Sequence, residues 1–182
     1  MPDPLLVVDV QRGFINDFTH HIPERIVRLV DRGDCGPIFA TRFVNTANSP
    51  YRRFLDWHAC EGPPETDLVP EITKLLKKHE GKVFPKKGFT GLPPELADHL
   101  KERRVGRVTV VGIDTDMCVL KIAMDLFDMN VRPTVLVDCC ASTAGLLAHL
   151  TGLAIISKNV GPQQLRDSGL GEGKVAAPPT DG

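Results

Sequence analysis

Apolar residues along this chain follow two rhythms. Short unbroken runs such as Leu5-Leu6-Val7-Val8 alternate with stretches in which apolar side chains recur every three or four positions. The runs predict strands near 4–10, 36–42, 81–86, 107–112, 132–138 and 153–157. The periodic stretches predict helices near 22–32, 50–57, 69–79, 93–104, 115–129 and 143–150. Continuous Val/Ile/Leu runs are what parallel strands look like when helices cover both faces, so the expected architecture is an α/β/α three-layer sandwich. Pro93 and Pro94 suit a helix start, and Asn130 suits a left-handed cap before the strand at 132. The Gly/Pro/Glu-rich stretch 58–68 reads as a loop able to cover a site at the strand ends.

At 182 residues the chain is long enough for one domain with a full core, expected over 1–170, with 171–182 as a flexible C-terminal tail rich in Gly, Pro and Ala. A charged fraction of 25% with a formal net charge of -1 argues against a nucleic-acid or acidic-membrane partner. There is no basic flank with a cleavage site at the start and no apolar run near the ~20 residues that span a bilayer, so a soluble cytoplasmic protein is expected. Five cysteines without regular spacing fit neither a disulfide framework nor a zinc ribbon. The adjacent pair Cys139-Cys140 would point to opposite sides of a strand, which makes one of them a core residue.

The most informative stretch is Val110-Val111-Gly112-Ile113-Asp114-Thr115-Asp116-Met117-Cys118-Val119-Leu120, a buried strand that turns at a glycine into a helix carrying a cysteine in its first turn. Unpaired N–H groups at a helix start favour the thiolate. Their effect, at most ~2 kcal/mol, moves a thiol from ~8.5 by roughly one unit, so an efficient nucleophile also needs a base or a cation nearby. Asp9 stands near the end of the first apolar run and Lys86 ends the strand-like stretch Gly81-Lys82-Val83-Phe84-Pro85-Lys86. In open parallel sheets ligands bind beyond the strand ends where strand order reverses, and there Asp9, Lys86 and Cys118 would meet. Thr115 and Asp116 read as helix caps.

Three motifs, Val7-Val8-Asp9-Val10-Gln11, Lys86-Lys87-Gly88-Phe89-Thr90-Gly91-Leu92 and Gly112-Ile113-Asp114-Thr115-Asp116-Met117-Cys118-Val119, resemble in order, spacing and strand context the isochorismatase-like cysteine hydrolases. The resemblance covers roughly residues 4–160 and includes Val135-Leu136-Val137-Asp138 with Ser142. It implies a Rossmann-like parallel sheet of about six strands and cleavage of small C–N bonds through a thioester, with Cys118 as nucleophile, Asp9 as general base and Lys86 as the cation that steadies both. Phe89, three residues after Lys86, selects that lysine over Lys87. A cis peptide between Ile113 and Asp114 would aim the N–H groups of Asp114 and Cys118 at one oxygen as an oxyanion hole. The family's zinc-dependent nicotinamidases carry an Asp-x-His and a second His after the second strand; the matching segment 41–51 has no such pair, so no metal and no cofactor are expected. Family members are commonly dimers or tetramers, so a homo-oligomer is expected, with a small-molecule substrate as the other partner.

Phe14, Phe43, Trp57 and Phe89 are the candidate substrate-binding residues, with Arg42 and Leu92 in segments that also reach the pocket, and each could equally serve core or interface. Asp9 alone reads as a cap, Lys86 alone as a solvated strand end, and Cys118 alone as an inert core cysteine; only their combination favours an amidase-like hydrolase. Two rivals are a vinyl-ether hydrolase and a non-catalytic small-molecule-binding protein on the same fold. A nucleotide-dependent oxidoreductase is disfavoured, because Gln11-Arg12-Gly13-Phe14 rather than Gly-x-Gly-x-x-Gly follows the first strand.

Overall fold

A computed structural model describes residues 2–33, 35–88 and 91–171. The strands are β1 (Leu5–Val8), β2 (Ile38–Phe43), β3 (Lys82–Lys86), β4 (Arg107–Ile113), β5 (Arg132–Ala141) and β6 (Leu165–Arg166). The helices are α1 (Ile22–Asp31), α2 (Pro50–Leu55), α3 (Pro70–Lys78), α4 (Pro94–Glu102), α5 (Leu120–Asp128) and α6 (Leu146–Val160). All strands pair in parallel in the order β3-β2-β1-β4-β5-β6. Chain order therefore reverses between β1 and β4, the place where an open sheet leaves a crevice beyond its carboxyl edge.

The apolar runs supply two cores at once, because side chains alternate along a strand. Leu5 and Val7 of β1 pack in one cluster with Ile22 and Ile26 of α1 and Ile72 of α3. Leu6 and Val8 face the opposite way, onto Leu96 of α4, Ile122 and Leu126 of α5 and Ile156 of α6. Cys139 and Cys140 divide between the clusters as an extended pair must, and both are buried. Asn130 takes the left-handed conformation at φ 59 that ends the α5 segment.

The strand expected at 153–157 is not there. Those residues continue α6, and the sixth strand is the two-residue β6. The run Ala154-Ile155-Ile156 misled because α6 is apolar on more than one face: it buries Gly152, Ile156 and Val160 and exposes Leu146, Leu147 and Leu150. Its helical period is thereby masked. A Cβ at Gly152 would stand 2.7 Å from Cα of Asp116, so glycine lets α6 lie directly on the turn that carries Cys118. The tail expected from 171 falls, from 172 onward, outside the described residues.

Candidate active site

Gly112 decides how β4 ends. Its φ is +134, and a Cβ there would lie 2.3 Å from the carbonyl oxygen of Val8, so only glycine allows β1 and β4 to approach at the switch point. The chain then reverses through Asp114 at φ 60, as β1 ends on Asp9 at φ 49; aspartate tolerates this left-handed region better than most residues. The cis peptide expected between Ile113 and Asp114 is absent: the bond is trans, and the left-handed Asp114 makes the reversal instead.

Beyond Asp114 the chain winds into a π-helical turn, Thr115–Val119, rather than an α-helical first turn. The Asp114 carbonyl accepts from the N–H groups of Met117 and Val119, both at 3.0 Å, and passes over that of Cys118. Among the described residues the Cys118 N–H has no acceptor outside its own turn, and it lies beside its own sulfur. Single π turns of this kind recur at functional sites. The caps expected of Thr115 and Asp116 are not made: no side chain caps the turn, Thr115 Oγ1 bonds His149 Nδ1 at 2.8 Å instead, and Asp116 Oδ1 is buried without a partner.

Asp9, Lys86 and Cys118 come together. Lys86 reaches from the end of β3 past β2, its Nζ donating to Cys118 Sγ at 3.3 Å and lying 2.8 Å from Asp9 Oδ2. Asp9 Oδ1 accepts from Thr41 Oγ1 at 2.7 Å, while Oδ2 is ion-paired but off the hydrogen-bonding direction, which leaves it a lone pair. The Cys118 thiol is close enough to this carboxylate for its charge to act on it. The Lys86 ammonium also sits over the Phe43 ring, 5.6 Å from its centroid.

Burial, then the Asp9 charge, push the Cys118 thiol well above its ordinary value, against the pull of Lys86. The lowering expected from the helix start does not prevail, because an end dipole contributes at most ~2 kcal/mol while desolvating an ion costs several. Burial alone would lower Lys86, but Asp9 and Cys118 hold its ammonium above the usual lysine value. Burial therefore favours the neutral thiol over the thiolate before substrate arrives.

Cys118 opens onto a cavity of about 440 Å³. Phe14, Phe43, Tyr51 and Trp57 form its aromatic wall, with ring centroids 5.4 to 6.1 Å apart along the chain of contacts. Tyr51, whose hydroxyl is pushed up to about 12 chiefly by burial, is the wall residue that sequence patterns missed. Of the other expected residues, Arg42 and Leu92 do not line this cavity, and Phe89 lies outside the described residues. Two buried amides set the wall, and neither stood out by type or spacing. Gln11 accepts from Phe43 N at 2.6 Å and donates to Phe43 O at 2.9 Å. Asn45 donates to the carbonyls of Trp57 and Ala59, both at 3.0 Å, which brings the 58–68 loop against the site.

The donors for a zinc ion do not fit. His58, the one histidine of the segment after β2, is exposed and bonds Asp56 at 2.9 Å. Among the described residues no group of three or more His, Cys, Asp or Glu is placed to hold a metal. Likewise, no described helix is long and apolar enough to cross a membrane.

The isochorismatase domain model matches residues 4–166. An uncharacterized isochorismatase family protein, PncA, of Bacillus subtilis strain 168 is 29% identical over 121 residues, which cover 63% of this chain and 64% of that one. The match thus spans less than two thirds of that relative. Among solved structures, an isochorismatase-like hydrolase from Alkaliphilus metalliredigens superposes with a TM-score of 0.77 at 21% identity, covering 92% of this chain and 96% of its own. The nicotinamidase/pyrazinamidase PncA of Bacillus subtilis gives 0.77 at 20%, covering 92% and 100%. N-carbamoylsarcosine amidase from Thermoplasma acidophilum gives 0.75 at 21%, covering 95% and 100%. At these identities the superpositions establish the shared fold.

Proposed function

The chain belongs to the isochorismatase family, and from that premise we propose that it is a hydrolase that cleaves the C–N bond of a small amide through a thioester on Cys118. One observation carries this reading: a lysine stands 3.3 Å from a cysteine and 2.8 Å from a carboxylate, and that cysteine lines a cavity of about 440 Å³. The amide and carbamoyl chemistries in the names of two structural neighbours support it.

In the reaction, Asp9 Oδ2 takes the thiol proton as sulfur adds to the substrate carbonyl. The oxyanion accepts from the Cys118 N–H that the Asp114 carbonyl passes over. Collapse of the tetrahedral adduct breaks the C–N bond, and Asp9 returns its proton to the departing nitrogen. Water, deprotonated by Asp9, then attacks the thioester; the acid leaves and the sulfur recovers its proton. Lys86, paired with Asp9 and donating to Cys118, offsets negative charge on sulfur during both steps.

A panel of small amides and carbamoyl compounds tests the reading. Turnover of at least one, with acid quenching that traps an acyl mass on the peptide containing Cys118, is the expected result, and no turnover of any would count against it.

Two further expectations arise from the site. Because Asp9 removes the proton during attack, kcat/KM should show no ascending limb at a thiol's usual ~8.5 and should be flat from about pH 7 to 9. A rise of about tenfold across that interval would point to a pre-formed thiolate. Prolonged chelation followed by gel filtration should leave the rate unchanged, since the donors near β2 do not fit zinc; loss of activity restored by zinc would refute this.

A further inference from the structure

The mechanism uses the carboxylate of Asp9 and leaves that of Asp114 without a task. Asp114 is 7% exposed and lines the cavity beside Cys118. Its Oδ1 accepts from Thr143 N at 2.8 Å and from Thr143 Oγ1 at 2.7 Å. Both of these bonds fall on Oδ1, so the second carboxylate oxygen of this cavity-lining residue is not used by Thr143.

The charge balance there is uneven. Asp9 and Lys86 compensate each other. Among the described residues Asp114 is the only charged side chain on the cavity lining and no Lys, Arg or His lines the space, while Asp116 adds a second negative charge nearby. Burial pushes the Asp114 carboxyl up, against the two bonds from Thr143. A largely buried carboxylate with no fixed counter-charge among the described lining residues is unfavourable as an anion until something positive arrives. The aromatic faces of Phe14, Tyr51 and Trp57 form the other side of a setting that attracts cations.

We propose that Asp114 selects the substrate: its carboxylate binds a positively charged nitrogen on an amide whose scissile carbonyl faces Cys118. The substrate class is then a small cationic amide, with an ammonium or quaternised ring nitrogen near the carbonyl. This rests on Cys118 being the reacting group. Asparagine is the informative replacement, because its carbonyl oxygen can still accept both bonds from Thr143 while the charge is gone. A role confined to holding Thr143 survives Asp114→Asn, whereas charge recognition does not.

The test uses an isosteric pair, 1-methylpyridinium-3-carboxamide, which is cationic, and 3-methylbenzamide, which is neutral. Binding to the Cys118→Ala protein is measured by calorimetry, so that chemistry does not enter. The cation should bind about tenfold or more tightly than its neutral isostere, and the ratio should fall towards one when Asp114→Asn is added. A ratio near one in the first protein, binding of neither compound, or a ratio indifferent to Asp114→Asn would each overturn the proposal. Turnover of the same pair by the unaltered enzyme separates the two readings. Selective binding without hydrolysis of either, or of any other member of the amide panel, would defeat the amidase reading and leave cation selection standing. Equal kcat/KM for both would do the reverse.

Discussion

Cys118→Ala is expected to remove turnover by about four orders of magnitude or more, the scale on which nucleophile deletions act, while the protein stays folded. The sulfur contributes little to either core: Cys118 is only partly buried and packs at the margin of one cluster. Alanine favours a helical turn as well as cysteine does, and the Asp9–Lys86 pair at 2.8 Å does not depend on the thiol. The thermal midpoint should therefore move by a few degrees at most, and the acid-quenched acyl adduct should disappear. Retained turnover, or an adduct carried by Cys35, Cys60, Cys139 or Cys140, would end the thioester mechanism. Three of those four are buried away from any opening onto the cavity.

Asp9→Asn is expected to lower kcat by about 10²–10⁴-fold, the range that general acid–base groups contribute. An amide can still accept from Thr41 but takes no proton from the thiol. Stability should fall as well, because Lys86, 4% exposed, loses its counter-ion, and breaking one side of a buried pair costs about 3–5 kcal/mol. The two effects are separable: kcat per folded molecule, with the folded fraction taken from circular dichroism, reports the chemistry alone. Lys86→Ala should lose about 10²-fold or more through lost charge stabilisation, whereas Lys87→Ala, on an exposed position one residue on, should change the rate less than threefold. Equal losses at Lys86 and Lys87 would mean that no specific ammonium is involved.

Much of this was legible in the chain. The unbroken apolar runs required a sheet covered on both faces, and Leu5 to Val8 indeed divide between two cores. Strand ends holding Asp9, Lys86 and Gly112 to Cys118 indicated a shared edge, and three of the four expected wall residues, Phe14, Phe43 and Trp57, line the cavity there. Local rules failed where environment outweighs them. In α6 burial on one face and exposure of Leu146, Leu147 and Leu150 on another hid the helical period. At Cys118 the helix-start effect was outweighed by desolvation.

By itself, then, the sequence determined the order of strands and helices, the apolar faces they bury and the glycine on which the β1–β4 approach depends, because these are set by spacing, side-chain volume and backbone freedom within a few residues. Only the tertiary structure decided the trans, left-handed passage through Asp114, the π turn whose first carbonyl passes over the Cys118 N–H, and the hold of Gln11 and Asn45 on the aromatic wall. It also decided that burial favours the neutral Cys118 thiol and that Asp114 lines the cavity. Hydrogen-bond partners and desolvation depend on residues brought together from separate strands and loops, and no spacing along the chain encodes those distances.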